Sequence, residues 1–172
     1  MKLFILYRIF MVLATPFIMV LLFIRYLKGK EDKTRFHERL GMKLPNRPMG
    51  HFIWMHGASV GECLSMQPLI KKLLQEDEHL HIMVTSGTVT SAELMAKRLP
   101  ERAFHVYIPV DLNGATRRFV RHFHPDAVFW FESEFWPNVL SQIYQAKIPL
   151  ILLNGRISDR SFRRWQKYPR VI

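Results

Sequence analysis

The sequence predicts an α/β fold with a parallel, Rossmann-like sheet, preceded by an apolar N-terminal helix. Three observations lead to this prediction. Residues 3–24 are strongly apolar, and Arg8 is their only charged residue. From residue 51 onward, short apolar runs alternate with longer segments of helical spacing, a pattern typical of βαβ units and parallel sheets. The turn after the first run, residues 57–61, is rich in small residues, as at the strand-to-helix turns where α/β proteins bind ligands.

The apolar stretch predicts a membrane anchor. Its uncharged part, residues 9–24, is shorter than the ~20 apolar residues that a full span requires. With residues 3–7 included and Arg8 reaching the interface, a tilted span becomes feasible, and a helix lying on the membrane stays open as the alternative. The excess of Lys and Arg after the stretch favours the cytoplasmic side for this flank and contact with anionic headgroups.

The chain divides into three parts on this basis. We assign an anchor helix to residues 1–28, a basic juxtamembrane segment and linker to residues 29–50, and a Rossmann-like domain to residues 51–172.

Five strands and four helices are predicted in the third part. The strands are expected at residues 51–56, 80–85, 104–108, 127–131 and 149–153. The helices are expected at residues 63–75, 88–99, 112–123 and 134–145. Pro68 should kink the first helix or mark a late start, and Pro137 suits the first turn of the last. Glu134 is interpreted as the first-turn acid of that last helix.

The composition indicates an anionic partner. The 172 residues include 25 Lys and Arg against 14 Asp and Glu, a formal net charge of +11. This balance favours nucleic acid, a phosphorylated lipid or an acidic membrane surface without choosing among them. We predict no nucleic-acid partner, because the sequence shows no helix-turn-helix and no aromatic-interleaved basic platform. The single cysteine, Cys63, excludes an internal disulfide and is interpreted as a small buried residue.

The turn after the first predicted strand contains the principal candidate site. Glu62 falls in the first turn of a helix that begins near Val60 or Gly61, where the helix dipole stabilises an ionised carboxylate by ~0.3–1 kcal/mol. Such a carboxylate can accept a proton from a substrate hydroxyl. Acids at helix starts are also common without any ligand, so position alone leaves both interpretations open. Gly57 and Gly61 would let a ligand approach the backbone.

A second candidate follows the fourth predicted strand. Glu132 ends a run that should be buried, and desolvating an unpaired carboxylate is costly. We therefore expect Glu132 to bind a ligand or to cap a neighbouring element. Residues 85–90 offer hydroxyls and amides that could hold a phosphate or cap a helix. The histidines lack nearby cysteines or carboxylate clusters, and we predict no metal site.

Together, these features resemble the N-terminal half of bacterial 3-deoxy-D-manno-octulosonic acid (Kdo) transferases. The similarity covers nearly the whole chain and begins with the apolar anchor. The matching motifs, in family order, are Arg35-Phe36-x-Glu38-Arg39-Leu40-Gly41, His56-x-x-Ser59-Val60-Gly61-Glu62, Phe104-x-x-Tyr107-x-Pro109-x-Asp111, Glu132-x-Glu134-x-Trp136-Pro137-Asn138 and Asn154-x-Arg156-x-Ser158.

The resemblance implies the N-terminal, acceptor-binding domain of a GT-B glycosyltransferase, a fold with two Rossmann-like domains facing a cleft. It implies inverting transfer of Kdo from CMP-Kdo to a phosphorylated lipid A precursor in lipopolysaccharide biosynthesis, at the cytoplasmic face of the inner membrane, without a metal or bound cofactor. In the family, the glutamate matching Glu62 is the general base and the one matching Glu132 stabilises the transition state. Ser59, Gly61 and Arg156 are expected to contact substrate.

The length of the chain qualifies this expectation. The family's second domain, which binds CMP-Kdo, would follow these 172 residues. Without that domain we expect the chain alone to be inactive. The alternative is a non-catalytic, membrane-bound module, left by truncation, that binds a lipid or a protein partner.

Overall fold

A parallel β-sheet forms the centre of the domain in the computed structural model, which describes residues 2–131, 134–155 and 158–166. Within these residues the strands are β1 (Phe52–His56), β2 (His81–Ser86), β3 (Ala103–Tyr107), β4 (Ala127–Phe131) and β5 (Leu150–Leu153). Their order is β3-β2-β1-β4-β5, and all neighbouring strands are parallel. The predicted α/β class with a parallel sheet is confirmed, and each strand boundary lies within one residue of its prediction.

Helices cover both faces of this sheet. Across the described ranges they are α1 (Lys2–Leu27), α2 (Val60–Ser65), α3 (Gln67–Glu76), α4 (Val89–Arg98), α5 (Asn113–Phe123), α6 (Pro137–Gln145) and α7 (Asp159–Trp165), with a 3₁₀ helix at Phe36–Leu40. The predicted helix over residues 63–75 is two helices, because Pro68 lacks the N–H that a continuous helix needs and takes the second position of α3. The sequence did not predict α7 or the 3₁₀ helix.

The core lies in two layers, one on each side of the sheet. Phe52 and Trp54 of β1 pack with side chains of α5 and α6 on one face. Met55, the residue of β1 that follows Trp54, packs with side chains of α2, α3 and α4 on the other face. Because both faces are covered, the strands are apolar without strict alternation, as in other parallel sheets.

Helix α6 begins three residues later than predicted, so the assignment of Glu134 to its first turn is wrong. Pro137 is the first residue of α6, and a residue that precedes proline is disfavoured in the helical conformation. Trp136 is accordingly extended, with φ −104° and ψ 104°. The main-chain oxygen of Glu134 instead accepts a hydrogen bond from the Trp130 indole at 2.7 Å.

Asp111 is the carboxylate that serves the N-terminus of α6. Its Oδ2 accepts the main-chain N–H of Asn138 at 3.0 Å, and its Oδ1 accepts that of Val139 at 2.9 Å. Asn138 Nδ2 donates in return to the Asp111 main-chain oxygen at 2.5 Å. The hydroxyl of Tyr7, in α1, donates to Asp111 Oδ2 at 2.6 Å. Burial raises the pKa of this carboxyl, which joins α1, the β3–α5 loop and α6.

The juxtamembrane segment is also bonded to the loop after β3. Glu38 accepts two hydrogen bonds from Arg35, at 2.8 and 2.9 Å, and a third from the Tyr107 main-chain N–H at 2.8 Å. The guanidinium of Arg39 donates to the main-chain oxygen of Ile108. The 3₁₀ helix between these residues therefore sits against the domain.

The predicted N-terminal apolar helix is confirmed as α1. Its segment Phe4–Leu27 has a mean hydropathy of 2.2 and is long and apolar enough to cross a membrane. The helix continues through Pro16 without a break in its assignment. Length and composition thus suit a membrane anchor, while the contacts of Tyr7 show that the helix also touches the domain.

We expect Asp111→Ala to lower the free energy of unfolding by about 2–4 kcal/mol, because two helix-end amides and the Tyr7 hydroxyl lose their acceptor. Urea denaturation in detergent, followed by circular dichroism, measures this. Glu78→Ala is the matched control, since that side chain is 87% exposed, and its effect should stay within ~0.5 kcal/mol. Equal effects of the two variants would contradict the role of Asp111.

Candidate functional site

The candidate site lies where the chain reverses its direction through the sheet. From β1 the chain proceeds through β2 to the edge strand β3, then crosses back to β4 and β5. Open α/β sheets bind ligands outside the carboxyl ends of the strands at such a switch point. His56 ends β1 and pairs in register with Trp130 of β4. The turn that follows His56 contains three of the predicted site residues, Ser59, Gly61 and Glu62.

The Glu62 carboxylate is held by the turn that precedes its own helix. Its Oε2 accepts the Ala58 main-chain N–H at 2.7 Å, and its Oε1 accepts the Ser59 hydroxyl at 2.9 Å. The Glu62 main-chain N–H donates to Ser59 Oγ at 3.2 Å, which caps α2. This reciprocal arrangement is a variant of the capping box. Ser59 and Glu62 are therefore brought together as the sequence motif suggests.

The carboxylate is buried but retains capacity to accept further hydrogen bonds. Glu62 is 8% exposed, whereas Ser59 and Gly61 beside it are exposed. A carboxylate has about four acceptor positions, and the two protein donors occupy about two of them. A Cβ placed on Gly61 would meet only Ser59 Oγ, at 3.9 Å, so the space beside Gly61 is open. Ser59 and Gly61 therefore form an exposed edge beside the buried Glu62.

Gly57 has a packing role that the sequence did not reveal. A Cβ at this position would lie 2.4 Å from Met66 Cε and 3.0 Å from Glu62 Cβ. The glycine therefore lets α2 approach the end of β1, and this close approach sets the position of Glu62. The space that Gly57 leaves is filled by the protein and not by a ligand.

A buried polar cluster lies beneath the turn. Thr85 Oγ1 accepts the indole N–H of Trp54 at 2.8 Å and lies 2.9 Å from His56 Nδ1. The His56 ring packs on Trp130, with 4.2 Å between ring centroids. Burial lowers the pKa of His56 to about 3, so the imidazole is neutral. A neutral histidine holds the ends of β1, β2 and β4 together at the switch point.

The structure also tests the predictions for residues 85–90 and for Cys63. Thr88 Oγ1 accepts the Ser91 main-chain N–H at 3.2 Å and caps α4, so residues 85–90 supply a cap and internal hydrogen bonds. Cys63 is fully buried, as predicted, and burial raises the pKa of its thiol to about 11. Within residues 2–131, 134–155 and 158–166, no group of three or more His, Cys, Asp or Glu is placed to hold a metal ion.

A second, basic concavity lies between α1, α5 and α6, with a volume of about 560 Å³. Its polar lining combines arginines with side-chain amides and a histidine: Arg8, Arg117, Arg121, Asn113, Gln142, Gln145 and His124. Arg8 Nη2 donates to Asn113 Oδ1 at 2.6 Å and is thereby fixed at one end. The positive lining suits an anionic group. The sequence predicted the helix at residues 112–123 but not its pairing with α1.

Two predicted site residues, Glu132 and Arg156, lie outside the described residues. Their assigned roles therefore stay predictions. The strand before Glu132 in the chain, β4, ends at Phe131, which is buried.

The fold and the turn after β1 define a Rossmann-like α/β domain with a held carboxylate at its switch point. The family model of 3-deoxy-D-manno-octulosonic-acid transferase (kdotransferase) matches residues 34–172. The chain therefore belongs to the Kdo transferase family.

Individual relatives agree with this assignment. The chain is 36% identical over 160 residues to a probable mitochondrial 3-deoxy-D-manno-octulosonic acid transferase of Arabidopsis thaliana, which covers 93% of the chain. It is 35% identical to the 3-deoxy-D-manno-octulosonic acid transferase of Rickettsia bellii and 32% identical to that of Haemophilus influenzae, each covering 94% of the chain. The chain spans only 36–38% of the length of these three relatives.

We expect His56→Gln to make stability less sensitive to acid. The folded pKa of about 3 lies below the unfolded value of ~6.5, so between these values only the unfolded state takes up the proton. Falling pH therefore destabilises the native protein by up to ~1.4 kcal/mol per pH unit for this residue. Urea titrations from pH 6 to 4 should show the slope reduced by about that amount in His56→Gln.

A matched variant comes from His105, whose pKa burial also lowers to about 3. His105→Gln should reduce the slope in the same direction, and the two reductions should add. An unchanged slope in His56→Gln would show that this imidazole is not buried in its neutral form.

Proposed function

We propose that this chain is the acceptor-binding domain of a Kdo transferase, with Glu62 as the general base. The reaction is transfer of Kdo from CMP-Kdo to a hydroxyl of a phosphorylated lipid A precursor, in lipopolysaccharide biosynthesis at the cytoplasmic face of the inner membrane. The observation that supports it best is the Glu62 carboxylate at the switch point. Two protein donors hold it, and they occupy only about two of its four acceptor positions.

In the proposed step, the acceptor oxygen attacks the anomeric carbon of Kdo as the bond from that carbon to the CMP phosphate oxygen breaks. CMP leaves with the electron pair of the broken bond. The hydroxyl proton passes to Glu62, and the configuration at the anomeric carbon inverts in this single displacement. A carboxylate that accepts a proton in this way contributes about 10²–10⁴-fold to the rate.

The turn supports this role by fixing the base before the substrate arrives. The Ala58 N–H and the Ser59 hydroxyl restrict the carboxylate to one orientation, which lowers the entropy lost on reaching the reactive geometry. We place the acceptor hydroxyl beside Gly61, where an added Cβ would meet only Ser59 Oγ.

The remaining residues of the site complete the proposal. Glu132 would stabilise the transition state, and Ser59, Gly61 and Arg156 would contact substrate. We assign CMP-Kdo binding to a second, Rossmann-like domain facing this one in a GT-B arrangement. The net charge of +11 and the basic concavity beside α1 suit an acceptor that carries phosphate groups.

We expect Glu62→Gln to reduce Kdo transfer by about 10²–10⁴-fold, since the amide cannot take the proton. The assay uses a chimera in which residues 1–172 replace the matching part of the Haemophilus influenzae transferase, with labelled CMP-Kdo as donor. Glu76→Gln, at the exposed end of α3, is the matched control and should keep the full rate. Full activity of Glu62→Gln would remove Glu62 from the mechanism.

We also expect the 172-residue chain to bind the phosphorylated lipid A precursor on its own, with an affinity that falls as salt increases. Binding to detergent-dispersed precursor at low and high ionic strength measures this. The same lipid without its phosphates is the control. Equal binding of both lipids at low salt would contradict phosphate recognition by this domain.

A further inference from the structure

The N-terminal end of the apolar helix α1 is bonded to the domain. The Tyr7 hydroxyl donates to Asp111 at 2.6 Å, and the Arg8 guanidinium donates to Asn113 at the same distance. Asp111 and Asn113 both belong to the segment that links β3 to α5. These contacts lie within the first two turns of a helix of 26 residues.

The C-terminal end of α1 is bonded to the same side of the domain. Arg25 Nε pairs with Glu31 at 2.6 Å, and Glu31 pairs in turn with Arg39 at 3.3 Å. The main-chain oxygen of Arg39 accepts the Val110 N–H at 2.8 Å. The ring of Tyr26 packs on Phe36 with 5.0 Å between centroids. The segment after β3 therefore contacts α1 directly at its N-terminal end and is linked to its C-terminal end through Arg39 and Glu31.

This geometry conflicts with a spanning helix. Arg8 and Arg25 are 17 residues apart, or about 26 Å along the helix axis, close to the ~30 Å of a bilayer's hydrocarbon core. A spanning α1 would place Arg8 across the membrane from Arg25. Tyr7 and Arg8 could not then contact the β3–α5 loop and the start of α5 while Arg25 stayed linked to the same loop through Glu31 and Arg39.

The exposure of side chains along α1 agrees with sideways contact. The less exposed positions recur every three or four residues and form one stripe: Tyr7, Arg8, Met11, Thr15, Ile18, Leu22 and Tyr26. Leu22 is the most buried residue of this stripe, with 4% of its surface exposed. The opposite face is apolar and open, with Leu6 62%, Leu13 74%, Val20 55% and Leu27 64% exposed. These four positions are one heptad apart and share a face.

We propose that α1 lies in the plane of the membrane, with its open face inserted among lipid acyl chains and its stripe resting on the domain. Interfacial helices usually turn a charged face to water. In α1 the less exposed side carries Tyr7 and Arg8, whose polar groups are bonded to the domain instead. This inference rests on the membrane attachment proposed above and not on the transfer reaction.

Charge complementarity favours a lipid surface over a second copy of this basic chain as the occupant. The basic concavity adjoins α1, and its exposed Arg117 and Arg121 lie on α5, at the level where anionic headgroups would meet an inserted helix. Lys28 and Lys30 follow the other end of α1 and are exposed. A like-charged copy of the chain would be repelled by this rim.

Depth measurement by spin labelling tests the orientation. Leu6, Leu13, Val20 and Leu27 are replaced singly by cysteine in a Cys63→Ala background, labelled, and reconstituted in vesicles containing anionic lipid. The depth of each label is measured from its relative accessibility to oxygen and to a nickel chelate. If α1 lies in the plane of the membrane, all four labels should have equal depth. A label at Thr15→Cys, on the stripe, should be less accessible to oxygen.

Two results would overturn the proposal. Successive labels on a spanning helix differ by about 10 Å, so labels at positions 13 and 20 that are deep, with shallow labels at 6 and 27, would show a span. Full accessibility of all four labels to the nickel chelate would show that lipid does not cover this face. Flotation with the vesicles measures membrane attachment separately. Failed flotation contradicts the proposed membrane function. Flotation together with deep labels at positions 13 and 20 contradicts only the in-plane orientation.

A charge-matched pair of variants tests the headgroup contact. Arg117→Glu combined with Arg121→Glu should weaken flotation with anionic vesicles by on the order of tenfold or more. Lys71→Glu combined with Lys97→Glu changes the net charge equally on α3 and α4, across the sheet, and should have a smaller effect. Equal losses in the two double variants would show that net charge alone drives binding and would contradict the proposed surface.

Discussion

The structure depends on the need to satisfy one buried carboxyl, Asp111. Removing this group from water is costly unless donors replace the lost hydration, and burial raises its pKa accordingly. The donors come from elements that are distant in sequence: Tyr7 is 104 residues away and Asn138 is 27 residues away. Meeting this single requirement fixes the start of α6, the course of the loop after β3 and the N-terminal end of α1. Helix α1 is thereby joined to the sheet domain.

The sequence predicted the features that local patterns determine. The apolar runs predicted the boundaries of every strand to within one residue. The small-residue turn predicted that Glu62 lies in the first turn of a helix. The wrong or missing predictions concern features that depend on contacts between residues distant in sequence. Glu134 looked like the acid of α6, but the conformational restriction before Pro137 moved the helix start beyond it. Asp111 took that role, and no spacing rule connects it to its partners. The bonds between α1 and the domain could not be predicted for the same reason.

The turn after β1 shows why an acid at a helix start is ambiguous from sequence. Ser59 and Glu62 satisfy each other's donors and acceptors, which is sufficient reason for both residues to occur there. Capping and catalysis are nevertheless compatible, since the cap leaves acceptor positions free and holds the carboxylate still. What sequence could not predict is the depth of the residue. Gly57 permits α2 to close on β1, and that close approach is what buries Glu62 beside an exposed rim.

The motifs by which the chain resembles the family serve two different physical purposes. Those around Glu38 and Asp111 bond the juxtamembrane segment and α1 to the loop after β3, whereas the motif ending at Glu62 presents a carboxylate at the switch point. An enzyme whose acceptor is embedded in a bilayer has to hold its base at a set height above the lipid surface. Helix α1 can set that height, because its N-terminal end is bonded to the loop that also fixes α6 and its C-terminal end is linked to the same loop through Glu31 and Arg39. A spanning helix joined at one end would leave the height to a linker. The motifs around Glu38 and Asp111 therefore contribute to the proposed reaction by fixing the position of α1 relative to the carboxylate.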